Sequence, residues 1–174
     1  MKAVFDSRQM AHDPKTFLRM GQPHPSPEQP ERARRLQSGV ISAGWVLISP
    51  QDHGLTPIAA VHGADYLSFL RTVHARWMQL PGASPEVIPN VHSRSRADSY
   101  PSHPVGQAGW HQADMACPIG ADTWASAYWS AQSALTAASA RTTVQDIVKN
   151  AGSMLLATDL ENRDRLVTIV EAMA

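Results

Sequence analysis

Cysteine is almost absent: Cys117 is the only one among 174 residues. No internal disulfide can form, and the chain suits a reducing cytoplasm. Net charge is absent too, with 15 basic against 15 acidic residues, which leaves no basic face for nucleic acid or an anionic membrane. Residues 1–20 lack the apolar stretch of a signal peptide, and no run is long enough to span a bilayer. Aromatic residues are scarce at 6%, and much of the 43% hydrophobic content is alanine. Helices built from such residues have small contact faces, so the expected stability is modest. Missing as well are His-Glu-x-x-His, Cys-x-x-Cys, Asp-x-His and Gly-x-Ser-x-Gly. These would have marked a local zinc site or a serine nucleophile. Gly106-Gln-Ala-Gly109 is too weak a pattern for a phosphate loop.

What is present fits one domain large enough for a core. Met1-Lys-Ala-Val-Phe5 reads as a first strand. Residues 6–30 carry five prolines and read as a long ordered loop. Pro30 suits the first turn of a helix, in which Ala33, Leu36, Val40 and Ile41 make one apolar stripe and Gly44 supplies the stop. Trp45-Val-Leu-Ile48 follows as a buried-strand pattern. The order strand, helix, strand predicts a βαβ unit with neighbouring parallel strands, the helix packing through Leu36, Val40 and Ile41.

Thr56-Pro57 opens a short helix through Ala60. A second helix begins at Asp65, with Tyr66, Leu70, Val73 and Trp77 on one face and Leu67 and Phe69 widening it. Residues 80–112 lose all periodicity and are rich in proline and histidine, which predicts an extended loop without a packed helix. Asp122-Thr123 caps a further helix lined by Trp124, Tyr128, Ala131, Leu135 and Ala138. From Arg141 the texture changes. Val144, Ile147 and Val148 suggest a short helix broken near Asn150-Ala-Gly152, and Leu166, Ile169, Val170 and Met173 stripe a last one. The division is therefore residues 1–140 and a helical tail, 141–174.

Taken residue by residue, the chemistry is sparse. His92, His103 and His111 share one loop with Asp98 and Asp114 nearby, which allows a metal site but fits a polar, exposed loop better. His62 and His74 read as surface or half-buried imidazoles, and Cys117 as a small buried residue rather than a nucleophile. The Arg32, Arg34, Arg35 cluster is an anion site or, more simply, a helix face with one arginine turned to a carboxylate.

Two segments say more. His24-Pro-Ser-Pro-Glu-Gln-Pro-Glu-Arg-Ala-Arg-Arg-Leu36 and Val61-His-Gly-Ala-Asp-Tyr-Leu-Ser-Phe-Leu70 resemble the opening of the acetylpolyamine amidohydrolase and histone deacetylase family. His53-Gly-Leu, Ile88-Pro89-Asn90 and the Asp122-Thr-Trp-Ala-Ser-Ala-Tyr-Trp helix fall in the same order, over residues 1 to about 139. The resemblance implies an α/β architecture, a partial arginase-like and deacetylase-like fold with a short parallel sheet and flanking helices. It implies hydrolysis of an acetyl amide, with zinc polarising the carbonyl and activating water, a histidine as general base and a tyrosine on the oxyanion. The substrate it implies is an acetylated polyamine or acetyl-lysine. The 80–112 loop matches the branch in which an insertion narrows the active-site entrance and forms a homodimer.

The family continues with Arg-Pro-x-Gly-His-His and Asp-x-Asp-x-His-His-Gly-Asn-Gly, and neither motif is in this chain. No catalytic residue and no metal ligand is therefore expected here, and no zinc bound specifically by this chain alone. By resemblance, Arg32 is an internal-cavity candidate, and Asp98 and Asp114 are substrate-entrance candidates. Three readings compete: the inactive N-terminal portion of a deacetylase, a non-catalytic association or dimerisation module, and a truncated or rearranged gene product.

Overall fold

The first fifty residues form the expected βαβ unit. The structure, a computed structural model, describes residues 1–93 and 99–155, with side chains as far as 140. Strand β1 (Lys2–Val4) pairs in parallel with β4 (Val46–Ile48), Lys2 against Val46 and Val4 against Ile48. Between them lies helix α1 (Pro30–Ser42), with Pro30 in its first turn, where a missing N–H costs nothing. The helix stops at Gly44, whose φ of 74° few other residues adopt and whose N–H donates to the Ile41 carbonyl at 2.9 Å. The expected packing through Leu36 and Ile41 is corrected: they are 73% and 55% exposed, and only Pro30, Ala33, Gln37 and Val40 of the helix are half-buried. The physical reason is the narrow sheet. Two strands of three residues offer a helix too little surface to cover both margins of its apolar stripe.

Residues 6–30 are more than a loop. Asp6 caps a 3-10 helix (Ser7–Ala11), and β2 (Thr16–Arg19) and β3 (Gln22–Pro25) form an antiparallel hairpin. Its two-residue turn is Met20-Gly21, with φ of 51° and 74°, the positive pair that matches the twist of hairpin strands. Proline hid this element: Pro23 and Pro25 lie in β3, the edge strand, where a missing donor is tolerated.

After α2 (Thr56–Ala59), helix α3 (Ala64–Trp77) carries most of the core. Phe69, Val73 and Trp77, spaced by four, are buried against Val87, Ala108 and Ile119, with Tyr66 and Leu70 at the margin. Val87 and Ile119 exchange backbone hydrogen bonds of 2.8 and 3.1 Å. Contrary to the sequence expectation, the 80–112 segment contains a packed helix, α4 (Pro104–His111), with Pro104, Gln107, Ala108 and Gly109 buried. Pro104 stands at its start, so the proline that argued against a helix instead begins one. Gly109 is required by contact: a Cβ there would stand 1.5 Å from the Val91 carbonyl oxygen.

The last described element is α5 (Thr123–Leu155). It crosses residues 141–152 without a break, so the short helix expected from Val144 and the break near Gly152 are both corrected. The stripe expected at residues 166–173 lies outside the described residues. The buried side of α5 is polar, with Ser126, Gln132 and Ser133 buried, whereas Trp124, Tyr128, Ala131 and Leu135 are only half-buried. This side of the helix meets polar groups of the 3-10 helix and of the 51–54 turn. Ser126 Oγ donates to the Arg8 carbonyl at 2.8 Å, and Gln9 Nε2 donates to Ser133 Oγ at 3.3 Å. Gln132 binds the 51–54 turn at both ends of its amide, accepting from His53 N (2.7 Å) and donating to the Gly54 carbonyl (3.1 Å). No helix among the described residues is long and apolar enough to cross a membrane.

Candidate functional site

The segment leading into the hairpin, helix α3, Glu86 and the turn before α5 line a polar groove. Glu86, 5% exposed, holds the hairpin at its base: its carboxylate accepts from Lys15 N at 2.8 Å and from the Thr16 hydroxyl at 3.3 Å. Further along, Leu18 N donates to the Met115 carbonyl at 3.2 Å, which joins β2 to the 112–118 segment. The groove itself is a cavity of about 540 Å³, lined by His12, Asp13, His74, Glu86, Asp122 and Thr123 among others.

His12, His74, Asp13 and Glu86 in the groove already have structural duties. His12 Nδ1 lies 2.8 Å from Thr123 Oγ1, and its Nε2 lies 3.3 Å from Glu28. Thr123 Oγ1 also accepts from Gly120 N at 2.8 Å. His74 Nε2 carries its proton toward the Pro85 carbonyl at 3.0 Å, so that nitrogen is not free to act as a base. Asp13 pairs with Lys15. The groove is acidic and well tied together, a positioning scaffold rather than a proton-transfer relay.

The sequence candidates are distributed unevenly. Asp114 comes beside the hairpin: its neighbour Met115 is bonded to Leu18, and its own Oδ1 accepts from Ala116 N at 2.8 Å, leaving the carboxylate exposed. Asp98 lies outside the described residues. Arg32 is exposed on α1 and away from this groove, while Arg34 and Arg35 both pair with Glu31 along the helix, at 3.8 and 2.9 Å. No inward arginine is needed to explain the cluster. His103 and His111 stand at opposite ends of α4, roughly 12 Å apart by helical rise. His103 Nδ1 caps the helix by accepting from Val105 N, and His111 packs on Phe69 and Tyr66. His62 stacks on Tyr66 from an exposed position. Among the described residues, no three His, Cys, Asp or Glu side chains gather as metal ligands. The groups present thus do not fit a zinc centre.

Cys117 is exposed, not buried as expected. Its thiol is nevertheless pushed up, first by the partial cover around the sulfur and then by the Asp114 carboxylate, which keeps it a weak nucleophile. Tyr100 is also pushed up, mainly by burial and then by Asp65. Its hydroxyl lies 2.8 Å from His111 Nε2, which ties the loop ahead of α4 to that helix. Arg76 completes the attachment, donating to Gln107 Oε1 at 2.6 Å and to the Ser102 carbonyl at 2.8 Å.

Sequence reading missed Glu86, Gln112 and Gln132, the buried polar groups that hold these segments. Gln112 Nε2 donates to the carbonyls of Val87 and Cys117 at 3.2 and 2.7 Å. Nothing in the local pattern marks such residues, because their partners are 5 to 79 positions away.

Comparison with known proteins supplies the relatives. No family model matches the chain. The acetylpolyamine amidohydrolase of Burkholderia pseudomallei is 41% identical over 141 residues, which covers 80% of this chain and 41% of that protein. Acetylpolyamine amidohydrolase 1 of Pseudomonas aeruginosa is 34% identical over 141 residues, or 79% of this chain and 40% of its own length. The crystal structure of the acetylpolyamine aminohydrolase from Burkholderia pseudomallei superposes with a TM-score of 0.74 at 40% identity, covering 84% of this chain and 42% of that one. The chain thus spans about two-fifths of the length of the relatives it matches. Its short parallel sheet and flanking helices are part of the arginase and deacetylase fold. Over about four-fifths of its residues, the chain matches a part of the acetylpolyamine amidohydrolases in both sequence and fold.

Proposed function

We propose that residues 1–140 are the substrate-entrance portion of a deacetylase that hydrolyses the acetyl amides of polyamines, and that residues 141–174 stand outside this portion. The observation that carries the reading is 40% identity to a solved acetylpolyamine aminohydrolase across 84% of the chain in one common fold. The acidic groove and the exposed Asp114 beside the hairpin support it, since a polyamine is a cation and a carboxylate rim attracts it. Asp98 and Asp114 are the rim carboxylates in this reading, and Arg32 the arginine of an internal cavity. Zinc, when bound in the complete domain, would polarise the acetyl carbonyl. This chain contributes positioning and no catalytic group.

The test is turnover of acetylputrescine and acetyl-lysine by the purified 174-residue chain, with metal analysis after dialysis. The expected result is no rate above background and substoichiometric zinc. Stoichiometric zinc together with turnover would overturn the reading. Association is the second reading. The ordered attachment of α4 supports it, because it presents Tyr100 at the surface in the 80–112 segment where the family resemblance suggests a homodimer. Light scattering of wild-type and Tyr100→Ser protein tests it, with a dimer lost in the variant as the expected result.

A further inference from the structure

The groove holds acidic side chains without matching bases. Asp13, Glu86 and Asp122 line it, and no lysine or arginine does. Asp13 is answered by Lys15 from outside the lining. Among the described residues, Glu86 and Asp122 have no cationic partner at all. The two histidines do not supply one: His12 faces a further carboxylate, Glu28, and His74 turns its Nε2 proton to the Pro85 carbonyl. Glu86 matters most, being only 5% exposed. A charge so deep is ordinarily paired or bound to a cation. Its carboxylate can accept about four hydrogen bonds, and the Lys15 amide and Thr16 hydroxyl are its only donors among the described residues. Asp122 is exposed, and its carboxylate accepts none there.

The shape of the cavity says which cation fits. Among the described residues no three His, Cys, Asp or Glu side chains gather closely enough to hold a metal ion. The space, about 540 Å³, is also far larger than a bare ion, and part of its wall is apolar, including buried Pro14 and half-exposed Met78.

We propose that this groove binds a primary alkylammonium group, with Glu86 and Asp122 as acceptors and the alkyl stem against Pro14 and Met78. An ammonium brings three donors and no acceptor, which matches the unused lone pairs, and its methylenes cover the apolar wall. The inference goes beyond the acetyl-amide reading, since the recognised group is a charged amine. It stands on the lining of the groove whether or not that reading holds. A free small amine and a lysine side chain present the same group.

Amide NMR spectra of the 174-residue chain, titrated with n-butylamine at neutral pH and fixed ionic strength, test the proposal. Saturable shifts at the Lys15 and Thr123 amides are expected, with a Kd in the millimolar range, and n-butanol should cause none of them. Glu86→Gln keeps an acceptor for the Lys15 amide and should weaken binding about tenfold. If that variant loosens the hairpin, Asp122→Asn, altered at an exposed position, should still weaken binding about threefold. Tighter binding of Nα-acetyllysine methylamide than of n-butylamine assigns the ammonium to a lysine side chain, and weaker binding assigns it to a free amine. Shifts that never saturate overturn the proposal, as do shifts reproduced by n-butanol. Binding that both variants leave at the wild-type strength sinks it too.

Discussion

Asp6 illustrates how much one side chain can hold. It is 7% exposed, caps the 3-10 helix by accepting from Arg8 N at 2.8 Å, and accepts from the Arg8 guanidinium at 2.8 Å. Arg8 in turn lies 3.2 Å over the Trp129 ring, so Asp6 fixes the arginine that joins the first strand to α5. The hydrogen bond from Arg8 holds the Asp6 carboxyl below its ordinary value, against the opposing effect of burial. A depressed carboxyl stabilises the fold fully above its unfolded pKa of about 3.9 and loses that contribution as pH falls through the lower folded value. Asp6→Asn should therefore cost about 1 kcal/mol at pH 7 and flatten the acid limb of stability below about pH 4. Urea melts of both proteins across pH 3–7 check this. A second single-residue effect lies at Met20, 89% exposed at a φ of 51°. An L side chain pays about 1–2 kcal/mol in that region and asparagine less, so Met20→Asn should raise stability by about 0.5–1 kcal/mol in the same melts.

At the scale of elements, α4 shows which expectations a linear pattern can support. The 80–112 segment has too many prolines and polar residues for an apolar stripe, yet Pro104–His111 is helical because its partners are backbone groups and a single crossing. Gly109 makes that crossing possible. Gly109→Ala would drive a Cβ into the Val91 carbonyl, and overpacking of this severity costs about 3 kcal/mol. The expected outcome is a thermal midpoint lowered by several degrees, with faster exchange of the amides of α4. The neighbouring Gly106→Ala meets only the Pro101 ring edge at 2.8 Å, so a smaller loss there would separate backbone collision from helix propensity. The same logic explains α5. Its apolar stripe was legible, but Ser126 and Ser133, which it buries, lie nearly half a turn away, because Ser126 satisfies a carbonyl of the 3-10 helix, Ser133 accepts from the Gln9 side chain, and Gln132 binds an amide and a carbonyl of the 51–54 turn.

For the whole molecule, the balance of buried groups matters most. Among the described residues the hydrophobic core is six side chains, and eight polar or charged residues are buried beside it. Much of the cohesion is therefore hydrogen bonding over long sequence distances, whose net worth is about 0.5–1.5 kcal/mol per bond. The apolar face of α1 and β4 contributes nothing to it while uncovered. A dye that reports exposed apolar surface, anilinonaphthalene sulfonate, should fluoresce several-fold more with this chain than with a compact domain of equal size. Leu36→Glu with Ile41→Glu should remove most of that signal. An unchanged signal in the double variant would place the bare apolar surface elsewhere.

The sequence by itself determined the βαβ opening, the caps at Pro30 and Gly44, the α3 stripe and the resemblance to acetylpolyamine amidohydrolases, because each rests on neighbours within a few residues or on an ordered series of motifs. Only the tertiary structure decided that the hairpin seals onto the 112–118 segment, that His103 and His111 stand apart, and that Glu86, Gln112 and Gln132 are buried. Those outcomes depend on partners far away in the chain, and a buried glutamine or glutamate looks the same in sequence as an exposed one. The side of α1 that faces the sheet was misjudged from the stripe of Leu36, Val40 and Ile41, of which Leu36 and Ile41 are exposed: an apolar stripe states what can be buried, and the width of the neighbouring surface decides what is.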